Sequence, residues 1–332
     1  DNLAIGFNAM TTNTAGGTEN TAIGNYALDA LTSGDQNTAV GLNAQSGVTS
    51  GGNNTAVGRS SLFVNSTGSD NTAVGRNALN QNTTASNNTA VGSSALDATT
   101  TGAANSALGT YAMAANTTGG SNVAVGYAAL NANTTGTRNI AIGYQAYDAS
   151  DTENDNIAIG YDAMTTNTAG GVENVAIGNY ALDALTSGDG NIAIGINAGG
   201  TITTAVSNIA IGRKAMKLTT TGGYNVGIGQ DAMEANTTGD SNVAIGMNVM
   251  ALNTTGVANT AIGRNALDAN TTAGHGTAIG YNALTANTTG EWNVAIGRQA
   301  METSTTIAET VAVGSKALRL NTGAGNTAIG HA

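Results

Sequence analysis

A five-residue string, Asn-(Thr/Val/Ile)-Ala-(Ile/Val)-Gly, returns twenty times along the 332-residue chain with scattered single-position variants. Its starts fall at 2, 20, 37, 54, 71, 88, 105, 122, 139, 156, 174, 191, 208, 225, 242, 259, 276, 293, 310 and 326, so sixteen of the nineteen spacings are 17 residues, two are 18 and the last is 16. A unit this short cannot bury a core alone and must stack on its neighbours. The repeat therefore predicts an all-β fold, a parallel β-solenoid or β-roll of about twenty 17-residue coils. A single continuous array over residues 1–332, at ~4.8 Å per coil, would be a rod of roughly 95 Å.

A longer period lies above the first. Residues 2–41 match residues 156–195 at 32 of 40 positions, and the 18-residue unit recurs in register with that match. The array grew by block duplication, 2–155 and 156–309. The chain opens on Asp1 directly before a signature and closes on Ala332 just past one, and is read as a segment of a longer protein.

Numbering each unit from its Asn gives columns with separate physical demands. Column 1 is Asn in 18 of 20 units, column 3 is Ala except for Gly227, column 5 is always Gly, and column 9 is Leu or Met in sixteen of nineteen units. Columns 2 to 4 read as a short strand, with 2 and 4 on one face and the Ala of column 3 on the other. Columns 4 and 9 are expected to form the apolar stacks of the core. Column 5 Gly marks a positive φ or a turn too tight for a Cβ. Column 1 Asn tolerates the left-handed region and stacks its amide on the next coil's Asn. The ladder positions singled out are Asn20, Gly24, Asn122, Gly126, Asn242 and Gly246. Columns 12–15 often read Asn-Thr-Thr-Gly, a second turn, so that two strands and two turns are expected per coil. Column 2, Thr in some units and Val or Ile in others, is the candidate contact between chains, because lateral association would supply the burial a thin coil lacks.

Composition narrows the function classes. The net charge of −11 opposes nucleic-acid binding, which needs a basic stripe. No apolar stretch approaches the ~20 residues of a membrane helix. Pro is absent, as a ladder that uses most backbone N–H groups requires. With no Cys and two isolated His, His275 and His331, neither a thiolate metal site nor a catalytic constellation is assembled. No enzyme activity, metal or cofactor is expected. Gly227-Ile228-Gly229 mimics a dinucleotide fingerprint but is a signature unit with Gly at column 3. Acidic turns around Asp35, Asp70, Asp151, Glu153, Asp155, Glu173, Asp189 and Asp240 lack the regular Asp spacing of calcium-binding rolls and read as solvated turns. The glycosylation pattern at Asn82, Asn116, Asn133, Asn236, Asn253, Asn270 and Asn287 is a by-product of the repeat.

Column 6 is the candidate surface binding stripe: Arg59, Arg76, Tyr127, Tyr144, Tyr161, Arg213, Arg264, Tyr281 and Arg298 would line up when coils stack. Aromatic rings and guanidinium forks suit flat sugars, acidic polymers or collagen-like partners.

The strings Asn139-Ile140-Ala141-Ile142-Gly143 and Asn293-Val294-Ala295-Ile296-Gly297, followed three residues after the Gly by Ala and then often Leu, resemble the head repeats of trimeric autotransporter adhesins. The longer unit from Asn122 to Gly136 also resembles arrays in phage tail-fibre-like proteins. The resemblance implies a left-handed roll, three chains side by side, and an exposed adhesive fibre. Its departure is unit length: 17 residues here, shorter in the adhesin heads. The expected function is an extracellular structural fibre or adhesin segment, on a cell surface or virion, attaching multivalently along a stiff rod to a host-surface glycan or matrix polymer. The expected partner is the chain itself, as homotrimer or filament. The alternatives are a tail-fibre shaft, a self-assembling filament, and an ice-binding solenoid that uses stacked Thr rows.

Overall fold

The computed structural model describes residues 1–167 and 169–331. Contacts divide the chain into two compact units, Asp1–Gly170 and Gly171–Ala332. The boundary falls inside the 18-residue coil 156–173 and not at the duplication joint. Each unit is a parallel β-solenoid with ten strands, from β1 (Leu3–Ile5) to β10 (Ile157–Ile159) in the first and from β11 (Val175–Ile177) to β20 (Thr327–Ile329) in the second.

Within a unit, strands pair in parallel with their sequence neighbours and in repeat register. Ala22 sits over Ala39 and Ala56 in the first unit, and Ala193 over Ala210 in the second. Every strand is three residues long, columns 2 to 4, and each coil of the described residues carries one strand, not two. The rest of the coil is a succession of turns whose amides still run from coil to coil. Leu28 N–H donates to the Ala44 carbonyl (3.1 Å), Tyr26 N–H to the Phe7 carbonyl (2.9 Å) and Gln36 N–H to the Thr18 carbonyl (2.9 Å).

Those three residues also carry positive φ, at 50°, 60° and 58°, and the same columns do so throughout both units. Column 9 is left-handed in every unit that has it, from Met10 (φ 53°) to Leu318 (φ 49°). Left-handed backbone costs a non-glycine residue about 1–2 kcal/mol. The reversal lets neighbouring amides point up and down the coil axis, and each resulting hydrogen bond contributes about 1 kcal/mol. The expectation that column 1 Asn takes this conformation is corrected: columns 7, 9 and the residue before the Asn do.

Column 5 Gly meets both of its expected requirements. Gly143 has φ 140°, and a Cβ there would lie 2.7 Å from the Gly160 carbonyl carbon and closer still to its oxygen. Column 15 differs. Its Gly residues have no positive φ where the turn reads Asn-Thr-Thr-Gly, and Ala85, Ala205 and Ala273 take the same place fully buried.

The core is the reverse of the expected one at the strand. Column 3 Ala points inward, and Ala22, Ala124 and Ala244 have no exposed surface. Column 4 points outward: Ile142 and Ile23 are each 37 % exposed. The physical reason is width. The strand faces the turn that carries column 8 Ala and column 9 Leu or Met across a gap that a methyl fills, as Ala141, Ala146 and Leu130 show by their complete burial. The one Gly at column 3 obeys the same geometry, since a Cβ at Gly227 would come 2.8 Å from Met216 Cγ. Likewise Gly199 at column 9 leaves room for buried Ile202, whose Cδ1 would lie 2.9 Å from a Cβ at that glycine.

Two buried amide ladders replace the apolar burial the coil lacks. At column 1, Asn139 N–H donates to Asn122 Oδ1 (2.9 Å), while Asn122 Nδ2 donates to the Gly136 carbonyl (2.8 Å). Asn20 and Asn242 repeat the pattern, so the expected amide stack is present. The second ladder, at column 12, is one that sequence reasoning missed. Asn133 Nδ2 donates to Asn116 Oδ1 (2.8 Å), and Asn270 Nδ2 to Asn253 Oδ1 (2.7 Å). Where the next coil lacks Asn the ladder breaks. Asn82 Oδ1, facing Thr99, is buried with no hydrogen-bond partner among the described residues. Thr99→Asn should give Asn82 its donor and raise stability by about 1–2 kcal/mol. Denaturant titration followed by circular dichroism checks this, and an unchanged or lower midpoint would refute it.

Candidate functional site

Two outward surfaces follow from the strand geometry. The first is the strand face itself. With Ala inside, columns 2 and 4 stand outward in every coil, and in-register pairing stacks like on like: Ile140 over Ile157 and Ile142 over Ile159 in the first unit, Ile192 over Ile209 and Ile194 over Ile211 in the second. Column 4 is Ile, Val or Leu throughout, so an unbroken apolar file runs along each unit, flanked at column 2 by a mixed file of Thr, Val and Ile with Leu3 and Ser106.

The second is column 6, directly after the Gly. All nine stripe residues are exposed. The structure places Arg59 and Arg76 on adjacent coils, and Tyr127, Tyr144 and Tyr161 on three successive coils of the first unit. It places Arg213 alone, and Arg264, Tyr281 and Arg298 on three successive coils of the second. The tyrosines form a ladder. The Tyr127 and Tyr144 rings stack with centroids 5.3 Å apart and planes 13° apart; Tyr144 and Tyr161 stack at 5.2 Å and 7°. Tyr111, one column over, meets Tyr127 edge-on at 6.1 Å. Stacking alters what the stripe offers. Both faces of Tyr144 are covered by its neighbours, so a sugar ring cannot lie on it. The ladder presents ring edges and a file of phenol hydroxyls.

The cations differ among themselves. Arg213 Nη2 lies 3.5 Å from Asp231 Oδ2. Among the described residues Arg59, Arg76, Arg264 and Arg298 form no ion pair. The half-buried Asp97 carboxyl is pushed above the usual carboxylate range by burial, an effect the Arg76 charge partly offsets. Asp148 and Asp268, in the same column, are raised by the same cause.

The acidic turns are occupied by the backbone. Asp35 Oδ1 accepts Thr18 N–H (2.7 Å), Asp189 Oδ1 accepts Val172 N–H (2.9 Å) and Asp240 Oδ1 accepts Gly223 N–H (2.5 Å). Asp155 forms a two-pronged pair with Arg138 (2.6 and 2.7 Å), which holds its carboxyl below the usual range. Among the described residues no three His, Asp or Glu side chains gather as a metal cluster would require.

One coil of the first unit departs from the pattern in a way that column reading passed over. Tyr147, Ser150 and Glu153 replace the usual Leu, Asn and Gly, and all three are buried. The Tyr147 hydroxyl accepts from Asn156 Nδ2 (2.5 Å) and Asn167 Nδ2 (3.0 Å). Glu153 accepts from Ser150 Oγ (3.1 Å) and from the Asp151, Thr152 and Gly170 N–H groups (2.9, 3.0 and 3.1 Å). Burial holds the Tyr147 phenol far above the usual tyrosine range. The cluster is closed to solvent and acts as an internal polar plug.

The Asn-Thr-Thr turns are closed at their first residue. Asn116 and Asn133 are fully buried and hydrogen-bonded, so neither side chain is open to glycosylation in the folded chain. The Thr of column 13 gives its hydroxyl to the next coil, as Thr83 Oγ1 does to the Thr100 carbonyl (3.0 Å) and Thr117 Oγ1 to the Thr134 carbonyl (2.9 Å). Only the column 14 file, such as Thr84 and Thr118, stays fully outward. Of the stacked Thr rows, one is thus tied into coil-to-coil hydrogen bonds and one is turned outward. His275 stacks on Trp292 with centroids 4.0 Å apart, both exposed in a turn.

Comparison with known proteins adds no assignment: no protein-family model matches the chain, and no curated protein matches it significantly. No helix of the described residues is long and apolar enough to cross a membrane.

Proposed function

We propose that this chain is a segment of a structural fibre that assembles side by side with copies of itself and attaches through repeated weak contacts. The observation that carries the reading is the outward apolar file at column 4 together with its mixed flank at column 2. Ten coils of such residues amount to an apolar area on the order of 1,000 Å² in each unit, against the few hundred Å² an ordinary monomer exposes in one patch. That is also about the area one partner contributes to a stable interface. A thin core of Ala and one Leu or Met per coil gives the same face a second reason to be covered.

Three-fold association, and placement outside a cell or on a virion as an adhesin or tail-fibre shaft, rest on the resemblance of the repeat. Attachment is assigned to column 6. Its unpaired Arg59, Arg76, Arg264 and Arg298 and the file of phenol hydroxyls suit an acidic or hydroxyl-rich polymer such as a host-surface glycan, each coil contributing little and the array contributing through effective concentration. No step of this reading calls for a cofactor, metal or bond-making chemistry.

The assembly reading is tested by Ile142→Glu together with Ile211→Glu, one on each unit's outward file. Column 4 faces solvent, so the coils should keep their circular dichroism spectrum, while the mass by light scattering falls to that of a single chain. Retention of the parent mass with an intact spectrum would remove this face from the interface.

A further inference from the structure

The tyrosine ladder has a chemical consequence that does not depend on what the stripe binds. Tyr127, Tyr144 and Tyr161 are each more than 40 % exposed, lie on three successive coils, and hold their rings parallel at 5.2–5.3 Å. Exposure gives a one-electron oxidant access to the phenols and gives water access to their protons. The repeat register fixes each ring's partner. Exposed side chains change rotamer in nanoseconds or less, so a small tilt out of the stack brings the ortho carbons of neighbouring rings into bonding contact without movement of the backbone. Three further tyrosines differ in the relevant respect. Tyr147 is buried, and Tyr26 meets Phe7 edge-on at 5.5 Å. Tyr224, the most exposed at 65 %, makes no ring contact among those observed.

We propose that this ladder is a site of oxidative cross-linking, in which Tyr144 joins Tyr127 or Tyr161 through an ortho–ortho carbon bond when hydrogen peroxide and a haem peroxidase are present. The balance closes with those reagents. Each phenol loses one hydrogen atom to become a phenoxyl radical. The two radicals couple through their ortho carbons, and each ring regains aromaticity by moving its ring hydrogen to the oxygen. The two hydrogen atoms removed reduce one hydrogen peroxide to two waters. The protein loses two hydrogens in mass and gains one carbon–carbon bond. The bond closes a loop of one coil, which restricts the unfolded chain and fastens adjacent coils against unwinding.

The test treats the full chain, at high dilution, with hydrogen peroxide and peroxidase. Dityrosine fluorescence, the intact mass of the single-chain species and peptide mapping are then read. The expected result is a single-chain product lighter by two hydrogens, mapped to Tyr127–Tyr144 or Tyr144–Tyr161, with a raised melting temperature. Tyr144→Phe should remove both mapped cross-links with no Tyr127–Tyr161 product in their place, since those two rings stand two coils apart. Tyr224→Phe should leave it unchanged, because exposure without a stacked partner does not suffice. Circular dichroism of both variants confirms that the coils are intact. Absence of the product from the parent chain, a Tyr127–Tyr161 cross-link in Tyr144→Phe, or a cross-link that maps only between chains would each overturn the proposal.

Discussion

Gly143→Ala is expected to unfold the coils around it and to lower the stability of the first unit by roughly 3–5 kcal/mol, a sum of backbone strain and overpacking. Two causes add at this position. The residue sits at φ 140°, a region that L side chains rarely adopt, and its Cβ would overlap the carbonyl of Gly160. The obstacle is backbone, held in place by Gly160 N–H donating to the Ile142 carbonyl at 2.8 Å, so no side-chain rotation relieves it. Thermal and urea melts followed by circular dichroism give the readout. Gly68→Ala is the matched control: a Cβ there also overlaps a backbone carbonyl of the next coil, that of Ala85, but its φ is not positive, so the difference between the two variants isolates the backbone strain. If both variants lose the same stability, the positive φ of column 5 is not what makes its glycine obligatory.

Asn122→Leu is expected to cost about 2–4 kcal/mol despite replacing a polar core residue with an apolar one of similar size. The amide satisfies two backbone groups on two coils: its Oδ1 accepts Asn139 N–H at 2.9 Å and its Nδ2 donates to the Gly136 carbonyl at 2.8 Å. Leucine leaves the Asn139 N–H orphaned, takes from the Gly136 carbonyl the shorter of its two donors (Asn133 Nδ2 remains at 3.1 Å), and removes the side-chain donor that Asn105 Oδ1 has at 3.2 Å. Burial of four carbons offsets part of that loss, which sets the lower end of the range. Asn122→Asp is the sharper comparison, because it keeps the acceptor and removes the donor. A stability for Asn122→Leu equal to or above the parent would show that the ladder is dispensable.

The period, the coil and the demands of column 5 were legible from spacing alone. A glycine that never varies over twenty units has few physical explanations, and both that apply were open to reading. The sense of the strand was not. Isoleucine and valine at columns 2 and 4 carry more apolar surface than alanine at column 3, so hydrophobicity alone turns the strand the wrong way. What decides the matter is the distance across the coil to Ala146 and Leu130, which no single-column pattern encodes. The left-handed backbone at column 9 was hidden for a related reason. Leucine and methionine are poor left-handed residues, and only the coil-to-coil hydrogen bond of an amide such as that of Leu28 holds them there. The column 12 ladder was masked by its company, since Asn-Thr-Thr-Gly reads as an exposed turn although its first residue is buried.

For the candidate site, alignment of the stripe followed directly from the period, and the stacking of Tyr127, Tyr144 and Tyr161 is its consequence. That stacking would cover the ring faces, and so remove flat sugar docking on Tyr144, depended on side-chain rotamers that the repeat does not fix. The acidic turns carried one signal that could have been read: Asp35, Asp189 and Asp240 stand in the column where Ser69 and Ser86 also occur, small acceptors suited to cap an N–H of the preceding coil.

The most direct test of the account is the mass of the folded chain in solution, measured by light scattering after size exclusion. An outward apolar file along each unit predicts a defined multiple of the 32.5 kDa chain, three by the resemblance of the repeat. A monodisperse species at 32.5 kDa, with the circular dichroism of an intact roll, would contradict it, because the apolar file would then stand in water without a partner.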